Sequence, residues 1–352
     1  MRQKVLAAMS GGVDSSVTAA LLIEAGYQVS GVTLKMFEEA HTDPVADARK
    51  VADTLGIEHH VLDLSELFSE NVITPFTQGY RSGITPNPCI CCNRYIKFGA
   101  LLEHALAMDM DYLATGHYAR IAFDPAAARY QLKMAADPLK DQTYVLYSLT
   151  QRQLARALLP LGEYRKAEVR EIAARYGFAN AQKQESQEIC FIPDHDYAAF
   201  IARNAGESEA PGDFVDLKGN VLGRHRGITH YTVGQRKGLG VSLGRIAYVV
   251  SIDRERNRVV LGDEKDLYST ALTVKELNII SGEPIGNALR VQAKIRYSAE
   301  PRDATFTPLD NGTGRIEFDV PQRAVTPGQA AVFYQGDTVI GGGIIAGTLE
   351  KV

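Results

Sequence analysis

The chain has 352 residues, 45% of them hydrophobic and 23% charged, with a formal net charge of −4. That composition gives a globular protein with a sizeable core and room for two or three domains. No apolar stretch approaches the roughly 18 uncharged residues of a membrane span, and MRQKVLAAMSGG is too short and glycine-broken for a signal peptide, so a cytoplasmic protein with no membrane partner is expected.

In chain order, KVLAAM is a continuous apolar run suited to a buried parallel strand, and VTAALLIEAGY has apolar residues at helical spacing ending at Gly26. QVSGVTLKMF reads as a second strand, PVADARKVADTLG as a helix and HHVLDL as a strand. His59 and His60 have no ligand partner at useful spacing and read as ordinary loop or strand-edge residues. Strand alternating with helix predicts an α/β domain, a parallel sheet with helices on both faces. The pattern continues through the helix YIKFGALLEHALAM, the strand YLATGH and helical segments at TQRQLARALL and RKAEVREIAARYG. Near residue 205 it changes. Short runs such as IAYVVSID, RVVLG, RVQAKIRY, TGRIEFDV and AAVFYQG, punctuated by turn signals, predict antiparallel sheet or barrel structure. Soft boundaries divide the chain into 1–205, a small mostly β unit at 206–272 and a β-barrel at 273–352.

Charge is unevenly spread: residues 1–70 carry 11 acidic against 5 basic side chains, whereas residues 221–260 carry 8 basic against 2 acidic. A basic stretch is by default a solvated face, but RHRGITHYTVGQRKGLGVSLGR, with Tyr231 interleaved, also suits phosphate contacts and RNA shape recognition.

MSGGVDSS, Met9 to Ser16, falls between the first strand and the first helix, beyond a strand's carboxyl end, where ligands bind in such sheets. Glycines allow close backbone approach, a helix start offers unpaired N–H groups and positive dipole, and serines add donors. That is a site for pyrophosphate. It is neither GxxxxGK[ST] nor GxGxxG. Asp14 is odd in a pure phosphate cradle and makes more sense if Mg2+ accompanies the nucleotide. The plainer alternative is that Asp14 or Ser15 caps the helix and the glycines turn the chain. Of four cysteines, Cys89, Cys91 and Cys92 cluster and Cys190 stands apart, which is no secreted disulfide framework. Cys92, placed just before a helix and near Arg94 and Lys97, should have a lowered pKa and act as a nucleophile.

SGGVDSS resembles the pyrophosphate loop of the N-type ATP pyrophosphatases. Together with NPxxxCN ahead of IKF, ATGHYAR, LKDQTYVLY, ICFI, TVGQRKGLG, KIRY and TPGQAAVFY, in this order, the chain resembles the bacterial tRNA-specific 2-thiouridylases over nearly its whole length. The resemblance implies a Rossmann-like ATP pyrophosphatase domain, then the central and barrel domains. It implies ATP-dependent 2-thiolation of the tRNA wobble uridine: adenylation of the carbon-2 oxygen, then displacement of AMP by sulfur. Ala8, Met9, Ser10, Gly11, Gly12, Val13, Asp14 and Ser15 would hold ATP phosphates, Leu34 would lie against adenine, and Gly116 would approach the nucleotide. Cys190 would carry a persulfide supplied by a sulfur-relay protein or cysteine desulfurase. Cys92 would attack it, leaving a Cys92–Cys190 disulfide. Asn87, Pro88, Cys89, Lys140, Asp141, Gln142, Arg296 and Tyr297 match tRNA-touching positions, as do His117 and Gln329. Some members have an aspartate, proposed as general acid/base, where this chain has Cys89. Cys89, Cys92 and Cys190 could alternatively ligate an iron–sulfur cluster that holds sulfide; structural zinc lacks a fourth ligand. A small-molecule ATP pyrophosphatase ligase and a non-catalytic RNA-binding protein remain rival readings.

Overall fold

The structure, a computed structural model, describes residues 2–37, 43–178, 180, 189–194, 196–206 and 209–351. Strands β1 (Lys4–Ala8), β2 (Gln28–Lys35), β3 (His59–Asp63), β4 (Tyr112–Ala114) and β7 (Ala157–Leu158) form a parallel sheet in the order β3-β2-β1-β4-β7. Alternate residues of β1 explain why both faces must be covered. Leu6 packs with Leu101, Leu102 and Ala105 of the helical residues 88–107, while Val5 and Ala7 pack with Ala19 and Leu22 of α1 (Val13–Glu24). Helix α2 (Pro44–Leu55) begins at an Asp43 cap and ends at left-handed Gly56, as PVADARKVADTLG suggested. His59 and His60 lie on the edge strand β3.

Two local expectations fail. TQRQLARALL is helical only over Gln151–Leu154; Ala157–Leu158 is instead the fifth parallel strand, because it finds a partner in β4. Tertiary pairing overrides helix propensity there. Residues 120–133, unassigned from sequence, form a hairpin of β5 (Arg120–Asp124) and β6 (Arg129–Lys133).

The four-stranded central sheet contains β8 (Gly212–Val215), β9 (Val221–His225), β10 (Tyr248–Asp253) and β11 (Arg258–Gly262). In the third unit, β12 (Tyr268–Ile279), β13 (Leu289–Lys294), β14 (Arg302–Pro308), β15 (Gly314–Arg323), β16 (Ala330–Gln335) and β17 (Thr338–Lys351) are antiparallel, and β12 pairs with both β15 and β17, closing the barrel. Strand β17 also pairs with β6, so the barrel is sewn to the first domain. Among the described residues no helix is long and apolar enough to cross a membrane.

Tyr144, fully buried, donates through its hydroxyl to the Ala330 carbonyl at 2.9 Å and accepts from the Ala330 amide at 3.1 Å. Tyr144→Phe leaves a buried strand end without these bonds, which costs about 1–3 kcal/mol. Urea unfolding checks this: the expected result is a lower midpoint with an unchanged slope.

Candidate active site

The order β3-β2-β1-β4-β7 reverses direction between β1 and β4, and a crevice opens at such a switch point beyond the strands' carboxyl ends. The loops leaving those two strands carry MSGG and TGHY. They touch. A side chain at Gly116 would meet the Ser15 nitrogen and the Asp14 carbonyl carbon at 3.0 Å, so only glycine lets the second loop rest on the first turn of α1. Gly11 has φ +70°, and a side chain there would meet Pro44 O and Asp47 Cβ at the start of α2. Ser15 Oγ accepts from the Ser10 amide at 3.1 Å and, with Ser16 Oγ, donates to the Gly12 carbonyl. Asn180 Nδ2 donates to the Gly11 carbonyl and to Ser16 Oγ, both at 3.0 Å.

The N-cap residue Gly12 gives the helix no side-chain cap, so Asp14 and Ser15 are not capping residues and the first-turn amides are left for an anion. Asp14 has a partner that the sequence did not reveal. Lys166 Nζ meets both its carboxylate oxygens, at 2.7 and 2.8 Å, and Tyr118 donates its hydroxyl to Oδ1 at 2.8 Å. The lysine missing from the loop is thus supplied by the helix Lys166–Arg175. This pair gives Asp14 a partner within the protein. Only the spacing of RKAEVR at a helix start could have hinted at it. Leu34, half-buried near the end of β2, packs with Leu62, Met36 and Phe37 against the cluster that contains Cys92 and Phe191.

Cys89, Cys91 and Cys92 lie on the helical stretch 88–107, whose middle, Cys92–Leu101, is π-helical, a geometry concentrated at functional sites. Asn87 Oδ1 accepts from the Cys89 amide at 3.1 Å, fixing the helix start at Pro88. Cys92 therefore sits inside the helix, not ahead of it. It is buried against Phe76, Ile96, Phe191 and Ile192. Cys190 immediately precedes Phe191 and Ile192, so their insertion into that cluster draws Cys190 toward Cys92. The charges of Cys89 and Cys92 both act on Cys190. The two distant thiols of the sequence converge.

Their electrostatics reverse an expectation. Burial pushes the Cys92 thiol up, and the opposing charge of Lys97 is too weak to restore it. Cys190 is pushed up to about 12, first by burial and then by Cys92 and Cys89. Arg94 acts on Cys91 instead. Cys89 and Cys190 are exposed as residues, yet burial raises both of their thiols. Among the described residues no three His, Cys, Asp or Glu side chains are gathered to hold a metal ion, so the thiols do not fit a cluster as they stand.

Several positions matched to tRNA contact are tied into the protein. His117 is buried, hydrogen-bonded through Nδ1 to Thr115 Oγ1 at 2.8 Å and held neutral by burial. Asp141, also buried, accepts from the Ala135 amide and the Thr143 hydroxyl. Gln142 Oε1 accepts from the Tyr118 amide. Gln329 Nε2 donates to the Thr85 carbonyl at 2.8 Å, and the Thr85 amide donates to the Pro327 carbonyl at 2.9 Å, which clamps the approach to Asn87 and Pro88. Arg296 donates to the Arg323 carbonyl, and Tyr297, 44% exposed, stands edge-on to Tyr144 with Lys294 over its ring. Lys140 is half-exposed. Tyr231 is buried against Phe214 and is no stacking platform for a base. Nearby Arg236, Lys237 and Arg245 line a cavity of about 350 Å3.

A phosphate cradle at the switch point of a parallel sheet defines an α/β nucleotide-binding enzyme, and the family comparison agrees. Residues 3–194 match the tRNA methyl transferase HUP domain, 198–263 the tRNA methyl transferase PRC-barrel domain and 269–345 the aminomethyltransferase beta-barrel domain. A tRNA-specific 2-thiouridylase MnmA of Moorella thermoacetica is 54% identical over 97% of this chain and 98% of its own length. Those of Acetivibrio thermocellus and Carboxydothermus hydrogenoformans are each 52% identical, over 98% and 99% of this chain and 99% and 98% of their own. The chain belongs to the tRNA-specific 2-thiouridylase family.

Two outcomes follow from this geometry. Lys166→Met should lower turnover about 100-fold or more, the scale for losing one preorganised cation or donor at a developing charge, while tRNA binding in a filter assay stays unchanged. Alkylation of Cys190 by iodoacetamide should keep accelerating above pH 9, because a raised pKa keeps the thiol protonated at neutral pH; a plateau near pH 7 would contradict the burial effect.

Proposed function

We propose that the protein replaces oxygen by sulfur at carbon 2 of the wobble uridine of tRNA, consuming ATP and releasing AMP and pyrophosphate. The convergence of Cys92 and Cys190, with the charge of Lys97 acting on both thiols and on His117 of the TGHY loop, carries this reading. The relatives' name gives the substrate class, and a methyl transferase, the other name attached to the family, has no need of paired thiols.

ATP phosphates lie against residues 8–15 and the amides opening α1, with Leu34 toward the adenine and Gly116 beneath the nucleotide. ATP enters as its Mg2+ complex; the metal neutralises phosphate charge and eases departure of pyrophosphate. Lys166 shifts from Asp14 to the phosphates. The uridine carbonyl oxygen attacks the α-phosphorus, pyrophosphate leaves, and carbon 2 gains a leaving group. Cys190 carries a persulfide from a sulfur-relay protein or cysteine desulfurase. The Cys92 thiolate attacks the Cys190 sulfur, hydrosulfide departs and adds to carbon 2, and AMP leaves with the former carbonyl oxygen. A Cys92–Cys190 disulfide remains, and a cytoplasmic reductant returns two electrons.

The tRNA is gripped by the basic loop around Arg236, Lys237 and Arg245, with Lys140, Arg296 and exposed Tyr297 nearer the site; residues 1–205 perform the chemistry, and 206–272 and 273–352 hold the RNA. Unstacking a base is cheapest in a loop, which suits an anticodon position. Buried His117, Asp141 and Gln329 act by fixing the loops around that base. With Cys89 in place of the carboxylate, no acid/base carboxylate acts at that position.

The test is thiolation of a tRNA transcript with ATP and a persulfide donor. Cys92→Ala and Cys190→Ala should each abolish thiouridine formation while leaving tRNA binding intact; full activity in both would overturn the paired-thiol route, and no thiouridine from the wild type would return the small-molecule ligase reading.

A further inference from the structure

The transfer proposed above forms two anions in turn, the Cys92 thiolate and the departing hydrosulfide, where burial disfavours negative charge. Lys97 is placed to offset that. Ile96, one residue before it, is buried in the cluster that holds Cys92, Phe76 and Phe191. Phe98, one residue after it, is buried in a different cluster with Leu6 and Leu101, its ring 6.0 Å from that of His117 in the TGHY loop. Half-buried Lys97 lies on the seam between the two, with the thiol cluster to one side and the loop after β4 to the other.

An α-helix would not align this lysine with Cys92. Five residues turn the chain about 500°, roughly 140° beyond one full turn, so the two side chains would face apart. The stretch Cys92–Leu101 is π-helical, however, and hydrogen bonds joining residues five apart set one nearly above the other. Arg94, on the same helix, is exposed and acts on Cys91 instead. The charge of Lys97 acts on Cys92, Cys89 and Cys190, and on His117. Among the described residues no carboxylate pairs with Lys97, so its charge is not neutralised by a partner.

We propose that Lys97 is a catalytic cation for sulfur transfer: its ammonium keeps the hydrosulfide released from Cys190 as an anion until it adds to carbon 2. The inference rests on the thiolation proposed above. The Cys92 thiolate bonds to Cys190 Sγ as the bond to the outer sulfur breaks, and hydrosulfide leaves with that electron pair. It forms the bond to carbon 2, AMP departs with the former carbonyl oxygen, and the proton on sulfur passes to solvent, which leaves the thiocarbonyl. Lys97 makes and breaks no covalent bond. Protonated to hydrogen sulfide, the same sulfur would lose its nucleophilicity, as a thiol does, and a neutral molecule would escape. A fixed positive charge in a desolvated site opposes both losses.

The experiment uses full-length, iron-free protein with Cys190 loaded with persulfide, mixed with ATP and a tRNA transcript for one turnover. Thiouridine, pyrophosphate and escaped hydrogen sulfide are measured in the same samples. In Lys97→Gln the rate of thiouridine formation relative to pyrophosphate release should fall about 100-fold, the scale for losing one preorganised charge at a developing anion, with hydrogen sulfide appearing in solution. Lys97→Arg keeps the charge on a head of different shape and should return the ratio to within about ten-fold of wild type. Lys97→Met, which keeps the apolar stem, takes the place of Lys97→Gln if that variant does not fold. An unchanged ratio in the uncharged variant, or an equal fall in Lys97→Arg, overturns the proposal. Failure of the underlying function looks different: the wild type itself forms no thiouridine.

Discussion

Everything in the site depends on the reversal of strand order between β1 and β4. It forces two loops to leave the sheet side by side, and Gly116, lacking a side chain, lets the second loop lie on the first turn of α1. The same contact brings Tyr118 and the 166–175 helix over Asp14, so one crevice gathers the free amides of a helix start, a lysine and a carboxylate. Phosphate binding follows from backbone direction as much as from side-chain identity.

The sulfur transfer proposed for Cys92 and Cys190 depends on a second device, an apolar one. Phe191 packs edge-to-face with Phe68 and Phe76 and tilted against Phe200, and this insertion anchors the chain next to Cys190 in the cluster that buries Cys92. Burial keeps the thiols protonated. The barrel holds the other end of this arrangement. Thr85, two residues before Asn87, is clamped by Pro327 and Gln329, so the cysteine helix is positioned by two domains at once.

The parallel sheet, the glycine loop and the barrel were legible because each has a local signature: continuous apolar runs, glycines before a helical repeat, and short strands between turns. What was not legible is what burial and distant pairing decide. Cys92 looked activated because charge and helix position can be read from neighbours, whereas desolvation by Phe76 and Phe191 cannot. Lys166 stands 152 positions from Asp14 in sequence, and nothing local announces their pairing. Tyr231 sits in a basic stretch yet packs into the central core with Phe214, Ile228 and Leu239. Residues 157–158 became strand through their partner β4.

The central claim is that the uridine carbonyl oxygen is turned into a leaving group at the β1–β4 crevice. Its most direct test is a single turnover on tRNA carrying heavy oxygen at carbon 2 of the wobble uridine, with the released AMP weighed by mass spectrometry. The heavy oxygen should appear in the AMP phosphate. Unlabelled AMP with thiouridine formed would contradict the account.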